Sequence, residues 1–147
     1  MKFSDEYAFL SNFYPSPISV NGVVYPDVET AYQAAKAVNA LERTQILKSG
    51  TPAAAKKLGK KVTMRPDWEQ VKVAYMYRFV KLKFQQNPDL AEKLLNTGNV
   101  ELIEGNYWHD QFWGDCSCEK HCNEPGKNIL GNILMLIRED LRTAKCI

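Results

Sequence analysis

Residues 25–36 read YPDVETAYQAAK, and the reading of this stretch decides the rest. Pro26 sets a turn, and Asp27 is placed to cap the first free N–H groups of a helix. Val28, Ala31, Tyr32 and Ala35 follow at spacings of three and four, an apolar stripe for a core. Glu29, Gln33 and Lys36 repeat the same spacing on a neighbouring face, so acid, amide and amine lie in a row. Two readings of that face are open. It is either a solvated face with weak ion pairs or a row of groups that carries chemistry.

Working outward, ISVNGVVY at 18–25 places Asn21-Gly22 between two β-branched runs, a hairpin signature. Beyond the central helix, expected from about 28 to about 39, a second helix is expected near 41–48. Thr51-Pro52 opens a third through Leu58, with Gly59 as its stop. Lys56, Lys57, Lys60, Lys61 and Arg65 then supply cations without an acid, either a solvated surface or a phosphate site. Pro66-Asp67 begins the longest helix, expected over about 67–86, with Asp67 and Gln70 in the pattern of a capping box. Asn87-Pro88 starts another to about Asn96, and VELIE at 100–104 alternates like an edge strand. A short strand is expected around Gln111 to Trp113. The last helix runs from about Asn128 to Thr143 with Leu130, Leu134, Ile137 and Leu141 as its buried stripe. The sum is an α+β fold, mostly helical in a single domain, with a small antiparallel β component.

The chain has 147 residues, 45% of them hydrophobic and 11% aromatic, with a net charge of +2. That is globular, and argues neither for nor against nucleic acid. No apolar run is long enough for a membrane span. MKFSDEYAF carries acids where a signal peptide needs an apolar stretch, so a cytoplasmic location with reduced thiols is expected. Cys116, Cys118, His121 and Cys122 form C-x-C-x2-H-C, enough donors for a closed zinc site but at tight spacing. Free thiols are the preferred reading. No catalytic metal and no cofactor are expected, at most a structural zinc. No phosphate loop, dinucleotide glycine fingerprint or nucleophile elbow is present. Acid–base chemistry therefore falls to carboxylates, with Glu29 and Asp115 the candidates.

Five segments in order resemble the NADAR family, the YbiA-like proteins named for association with NAD and ADP-ribose. They are FLSNFYPSPI at 9–18, YPDVETAYQAAK at 25–36, RPDWEQVKVAYM at 65–76, NYWHDQFWGD at 106–115 and GKNILGNILMLIRE at 126–139. The resemblance implies a small, helix-rich α+β protein that cleaves N-glycosidic bonds. Substrate classes in the family are ribosylamino-pyrimidine phosphates of riboflavin synthesis and ADP-ribose on guanine. Family motifs map onto Asn12, Phe13, Glu29, Gln33, Lys36, Trp68, Lys72, Trp113, Gly114, Asp115, Asn128 and Gly131. Thr30 stands where the family usually has His, so no imidazole is available there. The Asp115–Asn128 segment is longer than in the simplest members.

On this resemblance Glu29 would stabilise positive charge at C1 of ribose or align a nucleophile there. Lys36 would attack C1 or hold phosphate. Asp115 would protonate or orient the departing base. Asn12, Phe13, Tyr32, Gln33, Trp68, Lys72, Trp113, Gly114 and Asn128 are the expected substrate contacts. Trp68 and Trp113 are either stacking faces or half-buried core residues, and Asn12 either binds ribose or base edges or holds a turn. The partner is then a small ribosyl or ADP-ribosyl molecule, or ADP-ribosylated nucleic acid, with no obligate protein partner. Two other classes fit the same residues. One is a non-catalytic module binding NAD or ADP-ribose. The other is a nucleic-acid-binding protein using Lys56 to Arg65 and a zinc-stabilised loop.

Overall fold

A computed structural model describes residues 2–145. The chain resolves into two compact units, Asn12–Pro88 and Met1–Ser11 with Asp89–Ile147.

In the first unit, β1 (Ile18–Val20) and β2 (Val23–Tyr25) form the expected antiparallel hairpin, pairing Ile18 with Tyr25 and Val20 with Val23. Asn21 and Gly22 both take positive φ, 50° and 84°, the conformation a two-residue turn of this twist requires. The outer edge of β1 is closed by a side chain. Gln86 accepts from Ser19 N–H at 2.7 Å and donates to Ser19 O at 3.0 Å, so its amide replaces a neighbouring strand.

Helix α1 (Val28–Lys36) packs against α2 (Ala40–Leu47), α3 (Pro52–Gly59) and α4 (Trp68–Gln86). Asp27 caps it as its residue type predicts, accepting from Thr30 N–H at 2.7 Å. The helix is shorter than the expected span to 39. Ala37 turns extended and bridges to Met64, while Lys36 O accepts from Arg65 N–H at 2.9 Å, so the chain trades helix for tertiary pairing. Thr51 caps α3, accepting from Ala54 N–H at 3.1 Å, with Pro52 in the first turn. The capping box at α4 does not form. Arg65 holds the Asp67 carboxylate by two bonds of 2.7 and 3.1 Å, and a bidentate guanidinium outcompetes a backbone N–H.

In the second unit a 3-10 helix (Asp5–Leu10) joins α5 (Pro88–Asn96) and α6 (Ile129–Lys145). Leu130, Leu134 and Ile137 are buried as expected, together with Ile133 and the stem of Arg138. The Arg138 guanidinium donates to Thr97 Oγ1 at 2.8 Å and Val100 O at 2.9 Å. The edge strand expected at 100–104 is absent. Here the Asn128 side chain takes the partner's place, accepting from Glu104 N–H and donating to Leu102 O, both at 2.9 Å. The strand expected at 111–113 is also absent. Asp110 Oδ1 accepts from the N–H groups of Phe112 and Trp113 at 3.1 and 2.9 Å. The carbonyls of Phe112, Trp113 and Gly114 then accept from Ile129, Leu130 and Asn128, and so satisfy the open first turn of α6. The β component of this unit is instead a short parallel pair, β3 (Gly105–Asn106) with β4 (Asp115–Cys116).

Candidate active site

The unit Asn12–Pro88 builds a polar cluster on α1. All seven residues from Val28 to Ala34 are buried, so α1 is enclosed and not a surface helix. Glu29 is 7% and Gln33 5% exposed, which removes the solvated-face reading for both. Gln33 Nε2 donates to Glu29 Oε1 at 2.8 Å, and the Glu29 N–H donates to Asn12 O at 3.1 Å. Burial pushes the Glu29 carboxyl above its ordinary range, although the Gln33 bond and the charges of Lys56 and Lys36 pull it back. Lys36 Nζ donates to Gly59 O at 3.4 Å. Burial lowers its amine, which the charges of Glu29 and Glu69 oppose and those of Lys60 and Lys72 reinforce.

Two buried acceptors of this cluster have no hydrogen-bond partner, Asn12 Oδ1 and Gln33 Oε1. The amide of Asn12 otherwise reaches only Met76 Sδ, at 3.4 Å. Gly59 makes the arrangement possible, since a Cβ there would overlap Gln33 Oε1 and Cδ. Lys56 was seen in the sequence only as part of a basic run. It lies 6.0 Å from the ring of Phe13, which is 40% exposed, and its charge reaches Glu29. Lys72 donates to Glu69 at 2.7 Å.

Of the two readings open for Trp68, the fold takes the core residue. At 3% exposure its ring belongs to an aromatic stack, 5.1 Å from Tyr32 and 6.1 Å from Tyr75. Tyr32, 7% exposed, is likewise core. Thr30 fills the position of the family's imidazole with a cap, its hydroxyl donating to Asp27 Oδ1 at 2.8 Å. Lys83 is a buried cation that the sequence did not signal. It is fully enclosed, and burial lowers its amine to about 7 against the attraction of Asp27.

The second unit carries the other expected residues on the 105–128 segment. Asp115 Oδ1 accepts from Gly126 N–H at 2.8 Å and so holds the loop. Asn128 has both amide atoms engaged with Leu102 and Glu104, so it latches this loop. Its φ of 49° lies in the left-handed region an asparagine tolerates. Trp113 is half-buried, edge to face with Phe112 at 4.8 Å. Gly114 is buried because its backbone presses on Glu104 O and Asn106 Nδ2, where a Cβ would overlap both. Gly114→Ala is expected to destabilise the fold by about 1–3 kcal/mol, read as a lower denaturation midpoint. An unchanged midpoint would mean that the loop gives way at no cost.

His109 and His121 meet within this segment, with Cys118 between them. Cys122 points elsewhere, its Sγ toward Glu119 O at 3.4 Å.

The model of the NADAR domain matches residues 1–142. The chain belongs to the NADAR family. It is 35% identical over 144 residues to N-glycosidase YbiA of Shigella flexneri serotype 5b, covering 97% of this chain and 86% of that one. A second N-glycosidase, from Nostoc punctiforme, is 38% identical over 141 residues, with coverage of 92% and 86%. A riboflavin biosynthesis protein of Vibrio vulnificus is 39% identical over 140 residues. That match takes in 94% of this chain but only 36% of the Vibrio protein, so this chain spans about a third of its length. The NMR structure of the Escherichia coli protein YbiA superposes with a TM-score of 0.84 at 33% identity, covering 99% of this chain and 84% of that one. The helix-rich α+β fold is thus the YbiA fold. Relatives of this NADAR chain carry the name N-glycosidase, that is, hydrolases acting on N-glycosyl bonds. Among the described residues no helix is long and apolar enough to cross a membrane.

Proposed function

We propose that this NADAR chain hydrolyses the N-glycosidic bond between ribose and a base-like amine, the ribose carrying phosphate or forming part of ADP-ribose. The observation that carries this reading is the buried Glu29–Gln33 pair with Lys36 on the same helix, among the charges of Lys56, Lys60 and Lys72. As the C1–N bond breaks, its electron pair leaves with the base and positive charge grows on C1. A carboxylate held in a low-dielectric setting opposes that charge more strongly than one in water. The surrounding amines suit phosphate, and the half-exposed Phe13 ring suits a base.

Incubation with ADP-ribosylated guanine DNA and with a ribosylamino-pyrimidine phosphate, following free sugar and free base, tests the reading. Release of base from either supports it. Tight binding of ADP-ribose without release from either would favour the non-catalytic module instead.

Lys36 separates two mechanisms. Burial makes its neutral, nucleophilic amine available at lower pH. Attack on C1 would break the C1–N bond, the electron pair leaving with the base. The ring C1–O bond would then break, its oxygen taking a proton from the lysine nitrogen, to leave an open-chain imine. Borohydride should then trap a sugar adduct on the wild type and none on Lys36→Ala. If Lys36 only neutralises phosphate, neither protein forms an adduct and the variant mainly raises KM.

A further inference from the structure

We propose that the 105–121 loop binds one zinc ion through His109, Cys116, Cys118 and His121, a structural site that stands independently of the glycosidase reading. The donor atoms of these four side chains all lie within 4.8 Å of one another. Three of them form a tight triangle. Nδ1 of His109 and Nδ1 of His121 are 3.3 Å apart, and Cys118 Sγ lies 3.3 Å from the first and 3.1 Å from the second. An imidazole Nδ1 carries a hydrogen or presents a lone pair, never both. No single arrangement of protons therefore makes a linear hydrogen bond on all three edges. A cation at the centre satisfies all of them at once.

The edge lengths select the ion. Zinc binds nitrogen at about 2.0–2.1 Å and sulfur at about 2.3 Å, so the edges of its tetrahedron are about 3.3 Å for N···N and about 3.5 Å for N···S. The observed triangle is close to that figure. Two thiolates with two imidazoles are also the donor set that zinc prefers over magnesium or calcium. Cys116, the fourth ligand, is buried at 2% exposure and accepts from Cys118 N–H at 3.4 Å, a bond that favours the thiolate.

The motif is H-x6-C-x-C-x2-H, which differs from the C-x-C-x2-H-C of the linear sequence. Cys122 is exposed and turned toward Glu119 O. His109 stands in its place in the cluster, its backbone in the left-handed conformation at φ 69°. Zinc uptake would release one proton from each cysteine thiol, and the resulting site is neutral, with both imidazoles uncharged. Four protein ligands leave no open position, so the ion holds structure and does not activate water. It would close a ring from His109 to His121 around Trp113, Gly114 and Asp115.

The test uses the full chain, reduced, loaded with zinc sulfate and desalted. One zinc per chain is expected by elemental analysis. With cobalt(II) in its place, a thiolate charge-transfer band and intense ligand-field bands of a four-coordinate site are expected. His109→Ala and Cys118→Ser should each lose the retained metal, and Cys122→Ser should keep it. Far-ultraviolet circular dichroism of each variant shows whether the helices persist, and His109 is exposed enough for its loss to leave them intact. A wild-type chain that retains no zinc overturns the proposal. So does a His109→Ala protein that keeps the metal while Cys122→Ser loses it. Proteolysis reports on the structural role: zinc should slow cleavage within 105–127, and equal cleavage with and without zinc would overturn that role.

Discussion

Glu29→Gln is expected to lower kcat by on the order of 10²–10³ on whichever ribosyl amine the enzyme accepts, with KM little changed. The substitution keeps the size of the side chain and its contact with Gln33, and removes only charge. Binding survives on neutral hydrogen bonds. On the proposed reading the transition state does not, because its charge at C1 would then face a neutral amide. The pH profile gives a second readout. Burial holds the Glu29 carboxyl above the ordinary glutamate range, so its ionised form is lost as pH falls through that raised value. Wild-type turnover should fall on the acid side at a higher pH than an exposed glutamate would give. Glu29→Gln should lack that limb. Near-normal turnover by the variant would remove Glu29 from the chemistry.

Lys83→Met should stabilise the protein, most strongly at pH 7 and below. The Lys83 amine is fully enclosed and drops from 10.5 to about 7, with Asp27 as its opposing charge. Between those two values the unfolded chain binds a proton that the folded chain does not, so wild-type stability rises with pH across that window. The interval sets a ceiling of about 5 kcal/mol on the cost of burying the ammonium at pH 7 and below. Loss of the attraction to Asp27 and of the amine's other contacts takes back part of it, and a net gain of about 1–3 kcal/mol is expected. Asp27 keeps its bonds to the N–H and hydroxyl of Thr30, so α1 stays capped. Urea midpoints of both proteins at pH 7 and pH 9.5, at equal slope, measure the effect. The advantage of the variant should shrink as pH rises, and a variant less stable at pH 7 would refute the account.

The helices and the hairpin were legible because their signals are local. Asp27 and Thr51-Pro52 start helices, and Asn21-Gly22 closes the hairpin, whatever surrounds them. Residues 100–128 were not legible, because their order comes from Asn106, Asp110 and Asn128 reaching backbone groups, and alternation carries no trace of that. The i, i+4 spacing of Glu29 and Gln33 showed that they share a face but not that the face is buried. Enclosure by α2, α3 and α4 settles it, and enclosure is tertiary. Trp68 shows the converse, an aromatic open in the sequence between a stacking face and a core residue, which the fold places inside its core. Lys83 reads as one more cation in KLKF until α4 is placed against the hairpin.

Asn12 Oδ1 and Gln33 Oε1 are buried acceptors with nothing donating to them, while Lys36, Lys56, Lys60 and Lys72 offer only donors. On the proposed reading, and once the site opens to admit it, the two sets would sort an incoming molecule end from end. Phosphate has only acceptor oxygens near neutral pH and is repelled by bare carbonyls, whereas sugar hydroxyls can hand a hydrogen to each. On the proposed reading a ribosyl phosphate enters in one direction only, hydroxyls toward the amides and anion toward the lysines. An analogue stripped of hydroxyls would leave two stranded lone pairs and lose its sense of direction before it lost its charge attraction.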